Sequence, residues 1–401
     1  MLIQKAELRL VLSRLALTLG LGQTIAWASS YYLPAVLASH MASALGCPVS
    51  TVYAAFSASL ATAALTLPFA GRCADTWGGK RVLVASNVWC ALSLVVLSQA
   101  QSEAGLFWGW ILLGVAMGAG LYDIAFTTVV QSCGSAAQPV IIGMTLLGGF
   151  SSTVGWPVSH YLLSHFDWRQ VLIVWAGVHL FLGLPVHLSL NLPKRQGSKP
   201  SLKTEADSPH EPEKSKVPAM LVMALAFVFL SFSSAAMAAH MPGLMQICGV
   251  SVAASILVGA TFGPAQVAGR LLHLFVLQRL KPVNTTILAL LIMPLGAVAL
   301  ALLGPGAGVA LLVGIAHGFG NGIISIVKGA LPLYIFGEKR YGRRQGLLFL
   351  PAGIALAISP FLFSLCIDTW GKDALYIYIA AIWMSGLLFF CLKRLTGQGK
   401  A

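Results

Sequence analysis

Charge is what this chain has least of. Only 9% of its 401 residues are Asp, Glu, Lys or Arg, against 57% hydrophobic, where a soluble globular chain carries about a quarter charged residues. That scarcity excludes an ordinary water-soluble domain. It also leaves no basic, aromatic-interleaved surface for nucleic acid, so the formal net charge of +13 needs another explanation. No His-Glu-x-x-His metal pair and no Gly-x-x-x-x-Gly-Lys-Ser/Thr phosphate loop occurs, so metal-assisted hydrolysis and ATP drive lack their residues and no enzyme is expected. The seven cysteines have no metal-type spacing, and neither a metal nor a cofactor is expected.

What is present is apolar sequence in runs of roughly 20 residues, each able to cross ~30 Å of hydrocarbon. Twelve such spans fall near 12–39, 50–71, 81–100, 106–131, 139–164, 170–190, 217–243, 251–278, 284–304, 308–336, 346–368 and 374–395. Backbone groups in lipid must be bonded within the segment, so the runs are expected to be helices and the fold an all-α integral membrane bundle.

The bundle is written twice. Leu113–Gly120 (LGVAMGAG) returns as Val313–Gly320 (VGIAHGFG) at a shift of 200, and at a shift of 203 Gly143 meets Gly346, Pro157 meets Pro360 and Arg169 meets Lys372. Self-similarity at that distance inside apolar sequence points to two pseudo-symmetric six-helix bundles, the arrangement of transporters that rock one half against the other. The expected domains are 1–190 and 217–401. Between them 191–216, rich in Lys, Glu, Ser and Pro, has too little apolar content to fold alone and reads as a cytoplasmic linker.

Basic residues set the orientation. With both termini inside, Lys5, Arg9, the Arg72–Arg81 loop, Arg279, Lys281, Lys339, Arg340, Arg343, Arg344, Lys393, Arg394 and Lys400 face the cytoplasm, and the outer loops keep only Arg169 and Lys372. That is the positive-inside pattern, and it accounts for most of the net charge. The N-terminal run, with Lys5, Arg9 and Arg14 ahead of apolar sequence, resembles a signal peptide but continues too far, and reads as an uncleaved first span. Cys47 and Cys248 lie in matching outer loops. A disulfide there would jam the rocking of the halves, and two free thiols are the alternative.

The first cytoplasmic loop, Gly71-Arg72-Cys73-Ala74-Asp75-Thr76-Trp77-Gly78-Gly79-Lys80-Arg81, resembles the loop motif of the major facilitator superfamily: glycine, three residues, aspartate, two residues, glycine, then basic residues. Twelve spans, a duplicated half and a charged linker extend the resemblance over essentially the whole chain. In physical terms Gly71 and Gly78 permit a tight turn between helices, Asp75 can accept from a neighbouring helix N-terminus, and Lys80 and Arg81 suit lipid head groups. The cluster can latch one conformation; a solvated loop that only sets topology is the other reading. Two departures argue against a standard drug-efflux pump. Gly114 stands where many proton-coupled members carry an arginine, and the fifth span has Gly148, Gly149, Gly155 and Pro157 rather than the spacing of the drug antiporters.

Charges inside the membrane are costly and usually functional. Arg270 lies nine residues before Arg279, ~13 Å of helix rise, too far to snorkel with ease. Its guanidinium is a fork for a carboxylate or phosphate, or one side of an ion pair between helices. An eighth-span arginine resembles the substrate arginine of monocarboxylate-transporter-like members. Asp123 is the only acidic residue deep in a span. Nine residues after Gly114 and five after Gly118, it sits about 140–180° round the helix from that small-residue face, where it could carry a proton in the cavity, or cap or pair structurally. Lys328 could contact an anion or snorkel to the cytoplasm.

Gln23, Trp27 and Tyr31 form one stripe at four-residue steps, and Tyr32-Leu33-Pro34 is echoed by His240-Met241-Pro242. The resemblance implies that the first, fourth, seventh and tenth helices line the substrate path, so these residues, His240 included, would face it; packing is the alternative, and His240 and His317 can equally be hydrogen-bonded structural histidines. The expectation is a monomeric secondary transporter in a bacterial inner membrane, carrying a small organic anion such as a monocarboxylate by alternating access with proton symport. Efflux of amphipathic compounds and a non-transporting membrane receptor are the alternatives.

Overall fold

The computed structural model describes residues 10–134, 137–190, 217–336 and 341–396, and among them every regular element is helical. The first six crossings are built from α1 (Arg14–Ala28) with α2 (Pro34–Leu45), α3 (Val49–Trp77), α4 (Gly79–Ser98), α5 (Glu103–Gly120) with α6 (Tyr122–Cys133), α7 (Ala137–Gly148) with α8 (Ser151–Leu163), and α9 (Trp168–Val178) continuing through a π-turn at His179–Gly183 into α10 (Leu184–Leu188). The last six are α11 (Val217–Ile247), α12 (Val252–Phe275), α13 (Pro282–Ile292) with α14 (Leu295–Leu303), α15 (Ala307–Phe336), α16 (Tyr341–Trp370) and α17 (Ala374–Leu395). Among the described residues, ten stretches are long and apolar enough to span. One of them, Leu348–Leu395, holds two helices, and the broken α1–α2 pair supplies the remaining crossing. The segment 191–216 lies outside the described residues.

The duplicated glycines make the same contacts in both copies. A Cβ on Gly114 or Gly118 would strike the backbone of Ser59 or Ala63 on α3, and one on Gly314 or Gly318 would strike Val258 or Phe262 on α12. Gly120 presses on Ser86 of α4, and Gly320 on Ala289 and Met293 at the end of α13. Small residues let these helices approach backbone to backbone, the source of dispersion energy where lipid tails remove most of the hydrophobic drive. Prolines inside α3, α11, α12, α15 and α16 do not end those helices, because neighbours in a bundle can bond the freed groups.

The loop motif folds differently from its sequence reading. Gly71 lies inside α3, which runs on to Trp77, and only Gly78, at φ 87°, makes the turn. Asp75 accepts from the Gln131 side chain at 2.8 Å rather than from a helix N-terminus. Lys80 donates to the Leu190 carbonyl at 2.8 Å, tying the loop to the end of the sixth crossing instead of to head groups; Arg81 is exposed. Cys47 and Cys248 are both free thiols, packed against separate hydrophobic clusters.

Candidate substrate site

The first six helices supply an aromatic wall. Helix α5 ends at Gly120 because Leu121 is extended, at φ −82° and ψ −169°, which frees a carbonyl in mid-membrane. Gln23 takes it, donating to Gly120 O at 2.8 Å, and accepts from Trp27 Nε1 at 3.2 Å. The indole thus held meets Tyr31 with ring centroids 5.0 Å apart and Tyr122 at 5.1 Å, and Tyr122 stacks on Phe126 at 5.3 Å. Tyr32 continues the chain to Tyr31 at 5.4 Å and to the buried Trp156 at 5.4 Å. Trp27, Tyr31, Tyr122 and Phe126 stay partly open.

The last six helices supply the polar wall. Arg270 on α12 donates Nε to Ser325 Oγ at 3.0 Å, Nη2 to Gln266 Oε1 at 3.3 Å, and Nη1 across the halves to the Thr145 carbonyl. The Tyr122 hydroxyl also faces the guanidinium. All these partners are neutral, and no carboxylate pairs with Arg270 among the described residues. A full charge is therefore held in place without being neutralised, in a setting where charges otherwise pair. On α15 Asn321, Ser325 and Lys328 share one face at steps of four and three, and Asn321 accepts from Ser234 of α11 at 3.3 Å.

The walls meet where the contacts between the two sets of six end. Among the described residues, the hydrogen bonds joining the two sets of six are Tyr53 to Ala239 O at 3.1 Å, Phe361 N to Ser57 Oγ at 3.2 Å, Thr153 to Ala260 O at 2.9 Å, and Arg270 to Thr145 O. Helices α2 and α8 pack on α11 and α12, whereas their continuations α1 and α7, toward the end bearing Lys80, Arg81 and Arg279, pack mainly within the first six, with the Thr145 carbonyl of α7 reaching Arg270. Arg270 is the last of these cross-links before the halves separate.

Other sequence candidates stand apart from this cluster. Asp123 opens the first turn of α6; the break at Leu121 voids the wheel projected from Gly114, and the carboxylate is exposed on a face with Thr127 and Val130. Lys328 Nζ lies 5.0 Å from the Phe349 ring centre, on the polar wall but about one helical turn beyond Ser325. His240 is buried in the seal between halves. Its Nε2 is 2.8 Å from Pro360 O, and its ring lies 3.8 Å from that of Tyr53. His317 bonds Tyr378 at 2.6 Å within the last six. Sequence reasoning missed Tyr122, Phe126, Asn321, Ser234 and Thr145. The four-residue steps Tyr122–Phe126 and Asn321–Ser325 were the available signal for Tyr122, Phe126 and Asn321, and nothing in the sequence marks Ser234 or a backbone carbonyl at Thr145.

Residues 19–327 match the Major Facilitator Superfamily pattern. The chain belongs to that superfamily. Its fold is that of a solved nucleoside transporter, NupG, at 15% identity and a TM-score of 0.71 over 96% of this chain and 99% of that one. It is shared with a bacterial homologue of the human lysosomal transporter Spinster, at 14% identity and a TM-score of 0.68 over 94% and 96%. A sequence relative, the multidrug resistance protein MdtL of Klebsiella pneumoniae (strain 342), is 25% identical over 145 residues, so the match spans only 35% of this chain and 36% of that protein. The chain is thus an integral membrane transporter, with twelve crossings among the described residues, and not an enzyme.

Proposed function

We propose that the protein moves a small organic anion of monocarboxylate type by alternating access, with Arg270 taking the anionic group. The observation that carries this reading is the unpaired guanidinium at the meeting of the two halves, with partners that orient it but leave its charge unmet. An anion arriving there replaces a neutral carbonyl with a bidentate, charge-assisted pair, the strong form of hydrogen bond. Because the carbonyl belongs to α7 of the first half, binding also releases the last cross-link before the opening and so couples occupancy to relative motion of the halves, 1–190 and 217–401. With the basic end assigned to the cytoplasm by the positive-inside pattern, the halves part on the inner side, and the contacts of Tyr53, Trp156 and His240 lie on the outer side, where Tyr53 and His240 also line a cavity of about 540 Å³. A bacterial inner membrane and a monomer complete the reading.

Asp123, exposed beside Tyr122, is the group we assign to proton coupling, and the Asp75–Gln131 contact is half of a latch that engages the other bundle in the opposite conformation. Lys328 lies along the anion's route. Efflux of amphipathic compounds is the second reading, favoured by the short MdtL match and the aromatic wall. Counterflow of labelled acids in proteoliposomes tests the proposal. The wild type should exchange small carboxylates, Arg270→Lys should do so weakly although charge is kept, and exchange of neutral amphipaths alone would overturn the anion reading.

A further inference from the structure

We infer that the preferred substrate is a planar aromatic acid bearing a second hydrogen-bonding group on its ring. This inference rests on the anion reading of Arg270 and narrows it. The two walls differ in kind. The first six helices present Trp27, Tyr31, Tyr122 and Phe126, linked ring to ring at 5.0–5.3 Å and partly open. Such rings favour offset-stacked or edge-to-face partners over aliphatic ones. The last six present hydrogen-bonding groups, with Gln266 and Ser325 at the Arg270 guanidinium and the Ser234–Asn321 pair one turn of α15 away.

The ring wall is fixed from behind. Gln23 holds the Trp27 indole through its Nε1 and is itself anchored on the Gly120 carbonyl, so the ring is oriented before anything binds. An aliphatic acid would satisfy Arg270 and leave that orientation without use. A flat ring with its carboxylate on Arg270 lies with one face on Trp27 or Tyr122 and turns an edge toward Asn321, whose amide bonds Ser234 at a long 3.3 Å and can exchange that contact for a ligand hydroxyl. Carboxylate, ring and hydroxyl thus each meet a matching surface.

The test uses the full chain purified in detergent and four probes: benzoate, 4-hydroxybenzoate, cyclohexanecarboxylate and benzamide, with affinity read from thermal stabilisation. Benzoate should bind roughly three- to tenfold tighter than cyclohexanecarboxylate, the range expected for an aromatic pair beyond area burial, and 4-hydroxybenzoate tighter again. Trp27→Leu should erase the preference for the flat ring while Arg270 still discriminates benzoate from benzamide, and Trp27→Phe should keep most of it; unchanged stability of the ligand-free variants shows that each is folded. Equal affinity for benzoate and cyclohexanecarboxylate, with both lost in Arg270→Gln, would overturn the aromatic inference and leave the anion reading standing. Binding of benzamide as tight as benzoate, indifferent to Arg270→Gln, would overturn the anion reading and this inference with it.

Discussion

Gly114 and Gly118 press α5 onto Ser59 and Ala63, and Gly314 and Gly318 press α15 onto Val258 and Phe262 in the same register, yet the faces that the two halves turn toward each other are unlike. The first half breaks its first, fourth and fifth crossings, at residues 29–33, 121 and 149–150, whereas the seventh, tenth and eleventh run as continuous helices. The break at Leu121 frees a carbonyl that anchors Gln23 and, through it, the Trp27 ring; the continuous α15 carries Asn321, Ser325 and Lys328 on one face. One packing scheme thus serves two chemistries, aromatic on one wall and cationic on the other. Duplication conserved what holds a half together, and the binding surface diverged.

The most severe way to probe the shared part is to fill the glycine seams. Gly114→Val and Gly314→Val each drive a side chain into a backbone carbonyl, and both should lower stability by about 3 kcal/mol or more, at the upper end of overpacking costs. Melting in detergent checks this. A large loss in one half and none in the other would show that the seams are not equivalent.

A second probe addresses the unlike part. Asp123→Asn should abolish accumulation driven by a pH gradient while preserving exchange of labelled for unlabelled substrate, which needs no net proton movement. If both are lost while the protein stays folded, Asp123 is structural.

Smaller effects should follow from trimming the meeting point of the walls. Tyr122→Phe removes the hydroxyl that faces Arg270 and should weaken acid binding by about 1–2 kcal/mol, in keeping with a hydrogen bond to a charged group. No change in affinity would detach Tyr122 from the site.

The least change in stability is expected at the loop. A Cβ on Gly71 meets nothing within 4 Å, so Gly71→Ala should be neutral or stabilising by up to about 1 kcal/mol. Asp75→Asn should slow transport with substrate affinity within a few-fold. Unchanged turnover in both variants would remove the latch.

The crossings were legible because hydrophobic run length is read from residue type alone, and the loop at Gly78 because a φ of 87° favours glycine. Arg270 was legible as a charge out of place. The helix breaks were not, since nothing local forces Leu121 into an extended conformation; tertiary packing of Gly120 on Ser86 and of Tyr122 on Trp27 accompanies it. That one break shifted the expected direction of Asp123 and hid Tyr122, its neighbour, as a ring facing the site. His240 and Tyr32, echoed in sequence, differ in surroundings because α11 runs straight where α1 has ended.

The central claim is that the cationic wall acts through the unpaired charge of Arg270. Its most direct test is a binding cycle in which benzoate and benzamide are measured against the wild type and Arg270→Gln. The account predicts that the mutation costs the acid on the order of 2–5 kcal/mol, the range for a desolvated pair, and leaves the amide nearly unchanged. Equal losses for acid and amide would contradict it and return Arg270 to the residues that only hold the helices together.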